Sequence, residues 1–275
     1  MANCELWMVN SQIGKIWFFD SGFGGLQSMK YFRELYPAYD YIFLADAKNC
    51  PYGTKTAEHI KELTFTWLHR LFDHGATIVI LACNTASAYT IKAWQQQYPD
   101  KKVLSITIPG VEALSDKHIQ WHIGVLATQA TINARVYPDL IQKYNHHNPI
   151  SVEYIAAPTL VDIIERWSHN SEEIRKSINE YMDQFHHPLD CLILGCTHFP
   201  ILMTFFEEVF DGIIIDPSYE AACKFADYLS RHPEIETRLG RNSKSIYYTT
   251  WSKDSFNTIA SAIMWWDISA RKEDR

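Results

Sequence analysis

The chain has 275 residues, 47% of them apolar and 21% charged, with a formal net charge of −7. So much apolar content can bury a core and excludes global disorder, and the length fits one large domain or two ordinary ones. An acidic balance without basic blocks excludes phosphate-backbone recognition, which needs Lys and Arg to displace counterions, so no nucleic acid is expected as a partner.

The opening MANCELWMVNSQ carries neither a basic segment nor a long apolar one, so it does not read as a secretory signal. No apolar stretch of about 18 residues occurs, so no membrane span is expected. A cytoplasmic location follows, and the six cysteines (4, 50, 83, 191, 196 and 223) read as reduced thiols.

From residue 15 the chain alternates two patterns. KIWFF (15–19) is a strand that runs into Asp20-Ser21-Gly22 and then a helix with Leu26, Met29, Phe32 and Leu35 at a spacing of three, ended by Pro37. A strand at 41–44, a helix over 56–74 stopped by His74-Gly75, and a strand at 77–81 follow. Further strands are expected at 103–108, 123–126, 151–155, 191–194 and 213–215. Strands alternating with helices define the α/β class, with parallel sheets covered on both faces. Ligands in such sheets sit beyond the C-terminal strand ends.

Two phrases echo one another. IVILACNT (78–85) and CLILGCTH (191–198) each run from an apolar strand through a small residue to Cys and then two polar side chains. A weaker echo links FFDSGFGG (18–25) with VLATQATI (125–132). Two similar lobes, each bringing a strand-end cysteine to a shared cleft, explain both.

The late cluster of His186, His187, Cys191, Cys196 and His198 invites a metal reading. On a strand rising about 3.3 Å per residue, Cys191 and Cys196 stand roughly 16 Å apart and on opposite faces. Zinc–thiolate bonds are about 2.3 Å, so one ion cannot take both, and no metal is expected. The glycines of DSGFGG (20–25) fit neither nucleotide fingerprint, because Gln27 occupies the third glycine position of one and no Gly-Lys-Ser/Thr follows for the other. They leave a tight strand-to-helix turn through which backbone can approach a small ligand.

A single strand-end cysteine is most often a buried filler. Two of them, Cys83 and Cys196, each leading into a polar pair at a helix N-terminus, are candidates for chemistry, since that position lowers a thiol's pKa and offers anion-binding N–H groups. Cys4, Cys50 and Cys223 lack this context, although Cys50 precedes the Pro51-Tyr52-Gly53 turn. His198 shares a loop with Cys196, whereas a Cys–His nucleophilic dyad draws its base from a distant segment.

The chain resembles bacterial glutamate racemases of the cofactor-independent aspartate/glutamate racemase family. The resemblance rests on FDSGFGGL (19–26), PYGTKT (51–56), ACNTASA (82–88), IPGVEAL (108–114), IGVLATQATI (123–132), LGCTHFP (194–200) and IIIDPS (213–218). It implies two similar α/β lobes, each a mostly parallel sheet flanked by helices, with the active site in the cleft between them. Residues 13–108 plus 213–275 would form the first lobe and 109–212 the second. It also implies that Cys83 and Cys196 are the paired catalytic acid and base, with Asp20, His198 and Glu165 in support. Substrate contacts would map onto Asp20, Ser21, Tyr52, Gly53, Asn84, Thr85, Thr128, Thr131, Thr197 and His198. No cofactor is implied; the partners implied are the small molecule glutamate and a second copy of the chain in a homodimer. D-Glutamate would feed peptidoglycan synthesis.

The chain departs from the family at Asp46-Ala47-Lys48-Asn49-Cys50 before the PYG turn, and at Ala157, where a cysteine is common. An aspartate racemase of the same fold and a non-catalytic protein binding an acidic ligand are the competing readings. A pyridoxal phosphate enzyme would need a Schiff-base lysine, and no context singles one out, Lys55 in the PYGTKT phrase being the one candidate kept open.

Overall fold

The computed structural model describes residues 14–117, 122–144, 151–168, 170–264 and 268–273. Cys4 and the rest of the first twelve residues lie outside them. In chain order the elements begin with β1 (Lys15–Asp20), α1 (Gly25–Leu35), β2 (Tyr41–Ala45), α2 (Ala57–Asp73), β3 (Ala76–Leu81), α3 (Asn84–Gln97), β4 (Val103–Ser105) and α4 (Thr107–Asp116). Next come β5 (His122–Ala127), α5 (Gln129–Asn133), α6 (Val136–Tyr144), β6 (Ser151–Ala156), α7 (Pro158–Glu165), α8 (Ser171–Met182), β7 (Cys191–Gly195), α9 (Met203–Val209) and β8 (Ile213–Ile215). The last are α10 (Pro217–Arg231), α11 (Pro233–Glu236), β9 (Ser245–Thr249), α12 (Lys253–Met264) and β10 (Arg271–Lys272).

Two parallel sheets result. One has the order β10-β9-β2-β1-β3-β4 and the other β6-β5-β7-β8. The strands β1, β3 and β7 are almost wholly buried apolar runs, as expected of parallel strands covered on both faces. Separate apolar clusters line the two faces of each sheet. Phe18, Met29 and Phe225 lie on one side of the first sheet, and Phe19, Trp67 and Trp94 on the other. In the second sheet Leu194 and Phe206 face one layer and Ile193 and Tyr137 the other.

The order β2-β1-β3-β4 in the first sheet repeats as β6-β5-β7-β8 in the second. In both, the chain leaves the first strand to one side and then crosses to the other, so a switch point lies between β1 and β3 and again between β5 and β7. Ligands in open α/β sheets bind at such points. The echoing phrases occupy equivalent places: the first pair follows β1 and β5, and the cysteine pair follows β3 and β7.

Three expectations are corrected. The strand expected over 103–108 stops at Ser105, and Thr107 opens α4. Pro109 falls in that helix's first turn, where its missing N–H leaves no hydrogen bond unmade. The 213–215 strand, expected in the first lobe, pairs with β7 of the second sheet, Cys191 opposite Ile213 and Ile193 opposite Ile215. The chain returns to the first sheet only with β9, which pairs with β2. Finally, Leu35 is 46% exposed while Leu26, Met29 and Phe32 are buried, because a spacing of three drifts steadily around a helix of 3.6 residues per turn.

Candidate active site

Register decides what meets in the cleft. Asp20 pairs with Ala45 and Phe19 with Leu81, so the loops after β1, β2 and β3 leave the first sheet at one level. Ala127 pairs with both Gly195 and Ala156, so the loops after β5, β6 and β7 do the same in the second. The two rims face each other across a cavity of about 10 Å3 bordered by Ser21, Cys83, Asn84, Cys196, Thr197 and His198. Tyr52, Gly53, Thr85 and Thr128 also border it. Beside it opens a cavity of about 590 Å3, which shares Pro51, Gly53, Thr128 and Val161 with the smaller one and adds Lys55 and Asp162.

Both thiols are nearly inaccessible, at 6% exposure for Cys83 and 5% for Cys196. Cys83 caps α3: its Sγ accepts from the Ala86 N–H at 3.4 Å and lies 3.5 Å from Ser21 Oγ. Helix position was expected to lower this thiol's pKa. Instead burial, reinforced by the charge of Asp20, pushes it up to about 12, and the Ser21 and Ala86 donors only moderate the rise. Desolvation outweighs a single helix end, and Cys83 therefore rests as the thiol.

Each thiol has a titratable neighbour. Asp20 is fully buried, which pushes its carboxyl up to about 6, against the opposing pull of His198 and of two hydrogen bonds. Those bonds come from the Gly22 N–H at 2.8 Å and, across the lobe boundary, from Thr197 Oγ1 at 3.1 Å. His198 Nδ1 lies 3.6 Å from Cys196 Sγ and its Nε2 lies 2.5 Å from Glu165 Oε1. Burial alone would lower the imidazole's pKa, but the bonds to Cys196 and Glu165 win and raise it well above its ordinary value. Glu165 responds in kind. Burial would raise it, yet His198, the Cys50 thiol and the Phe23 N–H hold it below the usual carboxylate range.

The structure thus brings Glu165, the position set beside a departure from the family pattern, against His198. It also brings in Cys50, whose sulfur, with Glu165 and His198, forms a group of potential metal-ligand atoms within 4.8 Å of one another. Hydrogen bonds already join these three side chains. His186, in the late cluster first considered for metal, pairs instead with Glu153 at 2.8 Å.

The hydroxyl donors divide by lobe. Thr85, Thr128 and Thr131 form a closed triangle, with Oγ1 separations of 2.9, 3.1 and 2.9 Å, that bridges the two sheets beside the cavity. Tyr52 behaves otherwise: its hydroxyl donates to Asp46 at 2.7 Å, so it borders the cavity without directing that group into it. Lysine and arginine are absent among the described residues bordering the small cavity. An acidic ligand there would be held by hydroxyls, the Asn84 amide and the N-terminal N–H groups of α3, a mode of anion binding that needs no cation.

Sequence reasoning missed Tyr137, whose hydroxyl donates to Asn84 Oδ1 at 2.8 Å. A tyrosine on the apolar face of a helix carries no sequence signal that separates it from core packing.

Two parallel α/β sheets of one strand order, each delivering a cysteine from the same switch point to a common cleft, define a class of two-lobed α/β enzymes with paired thiols. The model of the Asp/Glu/Hydantoin racemase family matches residues 30–225, and the chain belongs to that family. It is 32% identical over 241 residues to a glutamate racemase of Aquifex aeolicus, covering 87% of this chain and 90% of that one. Among solved structures, a glutamate racemase isoform from Bacillus anthracis superposes with a TM-score of 0.87 at 27% identity, over 96% of this chain and 98% of that one. A glutamate racemase from Francisella tularensis in complex with D-glutamate gives a TM-score of 0.84 at 27% identity, over the same shares of the two chains.

Proposed function

We propose that this protein is a cofactor-independent glutamate racemase that interconverts L- and D-glutamate, with Cys83 and Cys196 as the two acid–base groups. The observation that carries the reading is their placement: equivalent strand ends of two repeated sheets, opening on one cleft. Racemisation removes a proton from one face of the α-carbon and returns one to the other, so it calls for two groups on opposite sides. In one direction the thiolate of one cysteine takes the α-proton while the thiol of the other gives its proton to the opposite face. The cysteines end with their protonation exchanged, and the reverse reaction runs from that state.

An amino-acid α-proton is far less acidic than a thiol, so the site must stabilise a carbanion-like transition state, at about 1.4 kcal/mol for each decade of rate. The Asn84 amide would hold a substrate carboxylate in ground and transition states alike, and the first N–H groups of α3 would spread the developing charge. The Thr85 and Thr197 hydroxyls, held by Thr128, Thr131 and Asp20 while the lobes are closed, become available when those links open. Asp20 acts beside Cys83, and His198, held by Glu165, beside Cys196. Asp20, raised to about 6, is a base matched to neutral pH. His198, raised by Glu165 and Cys196, is the cationic counterpart on the other side.

Glutamate is favoured as substrate by relatives described as glutamate racemases and by the Francisella structure with D-glutamate. The cytoplasm is the proposed location, with D-glutamate supplied to peptidoglycan synthesis, and a homodimer the proposed assembly. Chiral chromatography after incubation with L-glutamate and with L-aspartate, without pyridoxal phosphate, tests the substrate. D-glutamate appearing from L-glutamate supports the reading, and turnover of aspartate alone overturns it in favour of the sibling activity.

A further inference from the structure

The hydrogen bond between Asn84 and Tyr137 joins a residue of the cleft to the core of the second lobe. Asn84 follows Cys83 and is 2% exposed; its Oδ1 accepts from the Tyr137 hydroxyl at 2.8 Å, while its Nδ2 has no hydrogen-bond partner among the described residues. Tyr137 is 2% exposed and stands on α6 of the second lobe, so the bond crosses the lobe boundary. Its ring lies against the end of β7. A Cβ built on Gly195 would come within 2.9 Å of Tyr137 Cε2, so glycine is the residue that leaves the ring its place beside Cys196. One side chain thus reaches from the residue before one thiol to the residue after the other.

We propose that Tyr137 is a positioning residue: in the closed state its hydroxyl fixes the Asn84 amide with the NH2 turned into the cleft, and its ring sets the separation of the Cys83 and Cys196 loops. This rests on the reading that the cleft takes glutamate. A buried amide donor left unpaired is costly unless a ligand uses it, and Asn84 borders the cavity between the thiols. The opposite flip would turn an acceptor lone pair toward an anionic substrate and strand the tyrosine's proton, which now goes to Asn84 Oδ1. The direction of the amide therefore follows from Tyr137 and not from Asn84 itself.

The test is a double-mutant cycle of Tyr137→Phe and Asn84→Ala, read by D-glutamate binding and by steady-state kinetics with both enantiomers. Tyr137→Phe keeps the ring and removes only the hydroxyl. It is expected to weaken D-glutamate binding and raise KM for both enantiomers about tenfold, while kcat changes less than threefold, the signature of a lost contact made equally in ground and transition states. In the Asn84→Ala background the same substitution is expected to change neither quantity, because its route of action is gone. Unchanged affinity in Tyr137→Phe, or the same tenfold loss in both backgrounds, would overturn the proposal.

A substrate-independent readout separates this failure from that of the functional reading. The side-chain NH2 resonances of Asn84 should show one environment in the parent and exchange between two in Tyr137→Phe. A parent enzyme that racemises no glutamate but shows this change refutes the functional reading alone; an Asn84 amide indifferent to Tyr137→Phe refutes the positioning role.

Discussion

The two thiols do not sit in equivalent surroundings, although the strands that deliver them are equivalent. Cys83 is held as a thiol by burial and by the charge of Asp20, whereas Cys196 faces an imidazole drawn toward its cation by Glu165. Asp20 gives a measurable pH dependence. With its carboxyl raised to about 6, kcat/KM should fall as pH drops through that value and the base is protonated. Asp20→Asn should lower kcat by about 100-fold and abolish the acid limb; an unchanged limb in that variant would assign it to another group. On the other side, Glu165→Gln keeps an acceptor for His198 but removes the negative charge that helps to raise it. With Cys196 alone left to oppose burial, the imidazole loses its proton at lower pH, and any alkaline limb set by His198 should move down in pH, with kcat reduced by about 10- to 100-fold. The full pH–rate profile of the variant checks both the shift and its direction.

At the scale of elements, β1, β3 and β7 were legible in the sequence because parallel strands buried on both faces read as unbroken apolar runs. The two thiol phrases were legible because a strand end, a cysteine and a polar pair form a local pattern. The short β4 was not, since Ile106 and Ile108 continue the apolar pattern into a helix, and a few residues do not separate the two periodicities. The partner of β8 was hidden too, because pairing is a long-range choice made when Ile213 meets Cys191. Tyr137 shows the same limit within the site: its hydroxyl matters only where the second lobe touches the first.

Helix α10 supplies a stability test away from the chemistry. Asp216 caps it, accepting from the Ser218 N–H at 2.8 Å, and burial pushes this carboxyl up to about 6 despite that bond. A folded pKa above the unfolded one means the stabilising contribution is complete below about 4 and is lost as pH rises through about 6. Asn caps a helix as well as Asp does. Asp216→Asn should therefore gain on the parent by on the order of 2 kcal/mol between pH 4 and pH 8, about 5 °C in Tm. A Tm difference that does not widen with pH would contradict this origin of the shift. The turn at Gly53 offers a second test. A Cβ there would come within 2.7 Å of Thr128 Cβ in the opposite lobe, so Gly53→Ala should lower kcat/KM at least tenfold while shifting Tm by only a few degrees. Equal losses of stability and activity would place the contact in folding instead.

For the whole molecule, the lobes stand closed. A cavity of about 10 Å3 between the thiols admits no more than a water molecule, so glutamate must enter by parting the lobes. The neighbouring cavity of about 590 Å3 gives the approach. Parting breaks links that cross the boundary on both sides of the thiols: the Thr85–Thr128–Thr131 triangle and Tyr137–Asn84 on one, Thr197–Asp20 and Glu165–Phe23 on the other. Each is a single hydrogen bond or a small cluster worth about 1 kcal/mol per bond, weak enough to break on opening and numerous enough to realign the cysteines on closure.

The central claim is that two sulfurs face one α-carbon from opposite sides. Proton NMR in D2O tests it most directly, by following the α-hydrogen of pure D- and pure L-glutamate with Cys83→Ser and Cys196→Ser. The two-thiol mechanism predicts that neither variant racemises, and that each retains deuterium exchange into one enantiomer only, the opposite enantiomer for each. Racemisation by either variant at the parent rate, or exchange of the same enantiomer by both, would contradict it.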